Sequence, residues 1–162
     1  MLFRSDLNDL VIPEGNGELV KLAAADPETM IRWRVDYSIE AFQMPPERAE
    51  EDGRRAYNTY IERDSHRVLM VDGQPVATTG INARLPQIVQ VGGVYTPPPL
   101  RGRGYARRAV ALHLAEARSA GATRATLFAG SEMAARAYQA IGFQRIGYSS
   151  IILFKEPVTL NV

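Results

Sequence analysis

Apolar and polar residues alternate strictly from Ile31 to Glu40, yet Met30, Trp33, Tyr37 and Ala41 also form a stripe at helical spacing. The alternation favours a strand. The preceding Asp26-Pro27-Glu28 favours a helix, with an acid at the N-cap, proline at the first position and an acid in the first turn. The start signal decides for a helix. A second helix opens at Pro45-Pro46-Glu47 and runs to about Arg63. Its few apolar residues, Ala49, Ala56, Tyr57, Tyr60 and Ile61, put it on the surface. Residues 18–22 form a short strand before these helices.

Three strands are predicted next, over 67–71, 75–82 and 87–96. Asp72-Gly73 is a hairpin turn between the first two. The third carries Gly92-Gly93, which predicts a bulge or a close backbone approach. Pro97-Pro98-Pro99 stops it. The helix behind Arg101-Gly102-Arg103-Gly104 has Ala106, Val110, Leu114 and Ala117 on one face and Gly121 at its end. A strand over 123–129 follows. Ser131 then caps a helix through Ile141, with Glu132 in its first turn and Gly142 closing it. Two strands, 143–148 and 149–154, complete the pattern.

This order predicts an α/β (α+β) domain with one mixed central sheet of about seven strands and about four flanking helices. The domain is expected over residues 18–157. Residues 1–17 are expected as an N-terminal extension or an edge strand, and 158–162 as a tail.

Composition narrows the class. The chain has 162 residues, 46% hydrophobic and 23% charged, enough for one globular domain with a real core. It has no cysteine, which excludes disulfides, cysteine nucleophiles and thiolate metal sites. No apolar run approaches the roughly 18 residues of a membrane span, and the first residues lack a signal-peptide pattern. A cytoplasmic location and no membrane partner are the expectation. The net charge of +1 gives no sign of nucleic acid. His66 and His113 have no metal-ligand spacing, and no metal is expected.

Chemistry concentrates between Val94 and Ala106. Glycines at 102 and 104 let the backbone turn its N–H groups inward, and a helix start behind them adds uncapped donors. Such a loop suits an anion, most naturally a diphosphate. The nucleoside-triphosphate loop would need lysine and serine or threonine after the last glycine, where this chain has Tyr105 and Ala106. The dinucleotide fingerprint would need a third spaced glycine.

Arg101-Gly102-Arg103-Gly104-Tyr105-Ala106 resembles the cofactor motif of the GNAT superfamily of acetyl-CoA-dependent N-acyltransferases. That motif is arginine or glutamine, two residues, glycine, one residue, then glycine or alanine. A second signature agrees: Phe128-Ala129, Ser131, Tyr138 and Gly142-Phe143 resemble the superfamily's tyrosine-bearing helix and the Gly-Phe that ends it.

The resemblance implies acetyl-CoA as co-substrate and a small-molecule or peptide amine as acceptor, in a monomer or homodimer. The pantetheine arm would pair with Val94, Tyr95 and Thr96, and a Val94 N–H would polarise the acetyl carbonyl. The diphosphate would sit on the N–H groups of Arg101, Gly102, Arg103, Gly104, Tyr105 and Ala106. Arg107 or Arg108 would meet a phosphate; alone, a cation in a first helical turn opposes the dipole. Ser131 stands where the superfamily often has an asparagine that touches pantetheine, and it also reads as an ordinary N-cap. Tyr138 would protonate the leaving thiolate.

Many relatives have a glutamate on the strand before the loop. Here Gln87-Ile88-Val89-Gln90-Val91-Gly92-Gly93-Val94 has no acid. Glu40 is the first candidate base and Asp36 the second, while Asn82 and Gln90 could hold an acceptor. A CoA-binding module without catalysis is the alternative, and an anion-binding interaction domain is a more distant one.

Overall fold

The computed structural model describes residues 1–150. Seven strands form one mixed sheet: β1 (Leu2–Asp6), β2 (Glu18–Lys21), β3 (His66–Val71), β4 (Gln74–Leu85), β5 (Ile88–Tyr95), β6 (Arg124–Phe128) and β7 (Gln144–Gly147). Four α-helices complete it: α1 (Pro27–Phe42), α2 (Pro46–Glu62), α3 (Tyr105–Ser119) and α4 (Glu132–Gln139).

The helical reading of residues 31–40 holds. Asp26 accepts from the Thr29 N–H at 2.8 Å, Pro27 opens α1, and Gln43 ends it in the left-handed region. Met30 and Trp33 are buried under α1, and Tyr37 packs beside them. Ala41, expected on the same stripe, is exposed in the last turn of α1.

In the sheet the strands lie in the order β2-β3-β4-β5-β6-β1-β7. The β5–β6 pair is parallel and the other pairs are antiparallel. Alternation on β3 divides the core between two faces. Val68 joins Leu22, Met30, Trp33 and Tyr95 beneath α1, while Leu69 joins Val76, Ala77 and Ala109 of α3. A third cluster joins α3 and α4 to the β5–β6–β1 region through Val91, Val110, Leu114, Leu127, Tyr138 and Phe3.

The N-terminal stretch corrects the expectation of an extension or edge strand. β1 pairs with β6 on one side and β7 on the other. Phe3 is fully buried and Ser5 nearly so, which makes this short strand an interior one. The helix expected through Ile141 ends at Gln139, and the strand expected over 143–148 spans Gln144–Gly147. Residues 149 and 150 form no strand, and 151–154 lie outside the described residues, as does the expected tail. No helix among the described residues is long and apolar enough to cross a membrane.

Candidate functional site

The site begins where two parallel strands part. β5 and β6 pair from Ile88↔Arg124 to Val91↔Leu127 and no further. From Gly92 to Tyr95 the β6 side of β5 has no ladder partner. The β4–β5 ladder slips its register at the same level, between Thr78 and Gly80 and between Ile81 and Ala83.

Glycines allow this. Gly93 has φ 61, in the left-handed region, and a Cβ there would lie 2.6 Å from His66 Nε2. The bulge predicted from Gly92-Gly93 is therefore present, and the opening with it. Val94, Tyr95 and Thr96 continue along the opened edge.

Behind the edge, Pro98–Leu100 makes one 3-10 turn and leads to Arg101. Gly102 has φ 78, and Gly104, the N-cap of α3, has φ 80. No side chain caps α3. The first bond back to the helix start runs from the Arg108 N–H to the Gly104 carbonyl at 3.1 Å. Among the described residues, the N–H groups of Gly102, Arg103, Gly104, Tyr105, Ala106 and Arg107 have no acceptor. Six unpaired donors around two left-handed glycines form an anion cradle.

The arginines divide into two pairs. Arg101 is committed to the protein: its Nε donates to the Thr96 carbonyl at 2.9 Å and a terminal nitrogen to Glu40 Oε2 at 2.6 Å. Its guanidinium also lies over the Tyr95 ring, 5.7 Å from the centroid. Arg108 is likewise committed, donating to the Asn16 carbonyl at 3.1 Å and to that of Pro13. It thereby anchors the loop after β1. Arg103 and Arg107 are exposed and form no ion pair among the described residues. The Arg107 side chain curls beside Gly104, its Nε 3.3 Å from where a Cβ would stand.

Glu40 thus lies beside the loop, but it faces Arg101. Asp36, Asn82 and Ser131 are exposed, and Gln90 is half-buried. The Ser131 hydroxyl accepts from the Ala134 N–H at 3.2 Å and caps α4.

Tyr138 projects from α4 into the core cluster shared with β5, β6 and β1. Its ring meets Phe143 edge-on, with centroids 6.1 Å apart. Burial pushes its phenol up to about 12, with Tyr37 adding to the shift. It therefore stays protonated at any ordinary pH.

Opposite lies an aromatic wall that sequence reasoning did not assemble. Trp33 and Tyr37 of α1 meet Tyr95 of β5 at centroid distances of 6.1 and 6.4 Å. Arg34 stands behind them, bonded to Tyr60 Oη at 3.1 Å, to Asp52 at 2.7 Å and to Ser38. His66, given no role from sequence, is buried against the bulge. Only the crossing of β3, β4 and β5 brings it there. Among the described residues no cluster of three or more acids and histidines could hold a metal ion.

The model of the acetyltransferase (GNAT) family matches residues 28–143. The chain belongs to this family. The GNAT match runs from the first turn of α1 to Phe143 and so includes the bulge, the cradle and Tyr138. Solved structures agree on the fold. A GCN5-related N-acetyltransferase from Kribbella flavida is 23% identical with a TM-score of 0.57, over 88% of this chain and 52% of that one. A GCN5-related N-acetyltransferase from Ralstonia eutropha JMP134 is 21% identical with a TM-score of 0.60, over 88% of this chain and 99% of that one. A predicted acetyltransferase from Clostridium acetobutylicum, solved with acetyl-CoA, is 18% identical with a TM-score of 0.63, over 85% and 96%. The chain spans about half the length of the Kribbella flavida protein and nearly all of the other two. No curated protein matches it by sequence.

Proposed function

We propose that this GNAT domain moves an acetyl group from acetyl-CoA to a primary amine of a small molecule or peptide, in a ternary complex and in the cytoplasm. One observation carries the reading: the unpaired edge of β5 runs directly into the cradle of six unpaired amides. An extended polar arm ending in a diphosphate matches both parts. The edge at Val94, Tyr95 and Thr96 would take the pantetheine amides. The amides of the loop, with Arg103 and Arg107, would hold the phosphates.

Acetyl-CoA supplies an acyl group already activated as a thioester. The residues of this chain do the rest. The Val94 N–H donates to the acetyl oxygen as it gains charge. Tyr138 gives its proton to the departing thiolate. Holding both reactants in the opening supplies much of the rate, because neutral amines attack thioesters unaided. A panel of amines with thiol release as readout tests this. Turnover of acetyl-CoA with at least one amine is expected. Bound acetyl-CoA with no thiol released for any amine would leave a CoA-binding module instead.

Glu40, the candidate base of the sequence, is assigned a different part. Its bond to Arg101 braces the loop against α1. The pair is partly exposed, with side-chain exposures of 35% and 53%, so its worth is about 0.5–1 kcal/mol. Glu40→Gln is expected to weaken acetyl-CoA binding about two- to fivefold and to leave the pH–rate profile in place. A limb lost from that profile would return Glu40 to the role of base.

A further inference from the structure

The two faces of the sheet are covered unequally. Phe3, Val91 and Leu127 point into the cluster with α3 and α4. Alternation turns their neighbours Leu2, Gln90 and Phe128 to the other face. There α1 packs over Val68 of β3 and Tyr95 of β5. Further along, Phe128 is 48% exposed, and Arg4 and Gln144 are exposed as well. The β6–β1–β7 half of this face is therefore open.

Its residues are sorted by polarity. Phe128, Leu2 and Gly147 stand in one row across β6, β1 and β7, with Ile146, 52% exposed, next to Gly147. The next row is Gln90, Thr126, Arg4 and Gln144, polar throughout. The Thr126 hydroxyl donates to the Phe3 carbonyl at 2.9 Å. The apolar row is the one at the opening, since the last β5–β6 rung is Val91↔Leu127 and Phe128 is the next residue of β6. Single exposed apolar residues are ordinary, whereas a row of them at the mouth of a site points to a ligand.

The direction of approach follows from the fold. The cradle opens α3, and α3 and α4 fill the first face. A cofactor seated there leaves the second face to the amine. That route lies between the Trp33, Tyr37 and Tyr95 wall and Phe128.

Charge is arranged for one ammonium group and not two. Asp36 of α1 is exposed and forms no ion pair among the described residues. It is near enough to Tyr95 to raise that phenol, second only to burial. Glu40 beside it is paired with Arg101. Past Phe128 the next row holds Arg4 and no acid. A second ammonium on the same molecule would meet a cation there.

We propose that the acceptor is a monoamine with a flat apolar body, an arylalkyl amine, whose ring lies on Phe128 and Leu2 while its nitrogen reaches the opening. The inference rests on the acetyl-transfer reading and narrows its acceptor. Ring and row leave water together, and an edge-on or offset contact with Phe128 adds to that burial. Phe128 is a specificity-determining residue.

Competition between amines tests the proposal. Phenethylamine should exceed the diamine cadaverine in kcat/KM at least about tenfold; a lead for cadaverine would overturn the proposal. Phe128→Ala should lower the ratio of kcat/KM for phenethylamine over ethylamine about tenfold, with the dissociation constant for acetyl-CoA within about twofold of the native value. Phe128→Glu should move the ratio of phenethylamine to cadaverine toward the diamine. Wild-type ratios in both folded variants sink the idea, and if neither folds the wild-type comparison decides alone. A protein that acetylates no amine fails the parent reading. The acceptor face is then decided by ¹⁵N-labelled protein with CoA present: phenethylamine should shift the Leu2, Gln90 and Phe128 amides, and no shift there overturns the proposal.

Discussion

Gly104→Glu is expected to lower acetyl-CoA affinity at least about a hundredfold, measured by calorimetry on folded protein. Two effects add. Gly104 has φ 80, where an L-residue costs about 1–2 kcal/mol. The new carboxylate would also repel a diphosphate held by the loop; like charges about 5 Å apart repel by about 3 kcal/mol at an effective dielectric of 20. It would compete for the same N–H groups as well. Gly104→Ala separates the terms, since it keeps the strain without the charge; about a tenfold loss is expected for it. Affinity of Gly104→Glu within about threefold of the native value would remove the cradle from the cofactor site.

Tyr138→Phe is expected to lower kcat about a hundredfold while acetyl-CoA affinity stays within about twofold. The phenyl ring keeps the edge-on contact with Phe143, and the hydroxyl has no hydrogen-bond partner among the described residues. The fold should therefore hold, and the loss would be chemical. The pH dependence gives a second check. A phenol pushed up to about 12 stays protonated well past the ordinary value of 10. Wild-type kcat should therefore hold its plateau through pH 10, with any fall placed nearer 12. Unchanged kcat in Tyr138→Phe would remove Tyr138 as the proton donor.

The candidate site was partly legible in the chain because its central part is local. A run from strand to glycine loop to helix start needs only neighbouring residues to aim its amides, so Gly102, Gly104 and the uncapped start of α3 could be named in advance. The same holds for α1, where Asp26 and Pro27 act within one turn and outweigh an alternation that suggested a strand. Side-chain partners were another matter. Arg108 reads, beside Arg107, as a phosphate ligand, yet it holds the loop at Pro13 and Asn16, and the Arg101 side chain braces Glu40. Those partners lie 61 and more than 90 positions away in the chain, and no spacing rule reaches them.

The order of residues by itself determined the helices and most strands, the bulge-forming glycines, the anion cradle and the family signature, since each depends on contacts within a few residues. Only the tertiary structure decided that β1 is an interior strand, that β5 and β6 part beyond Val91, and that His66 lies beneath Gly93. Each of these is a meeting of distant segments. It is selected by the apolar surface the segments bury together, a quantity no single segment carries.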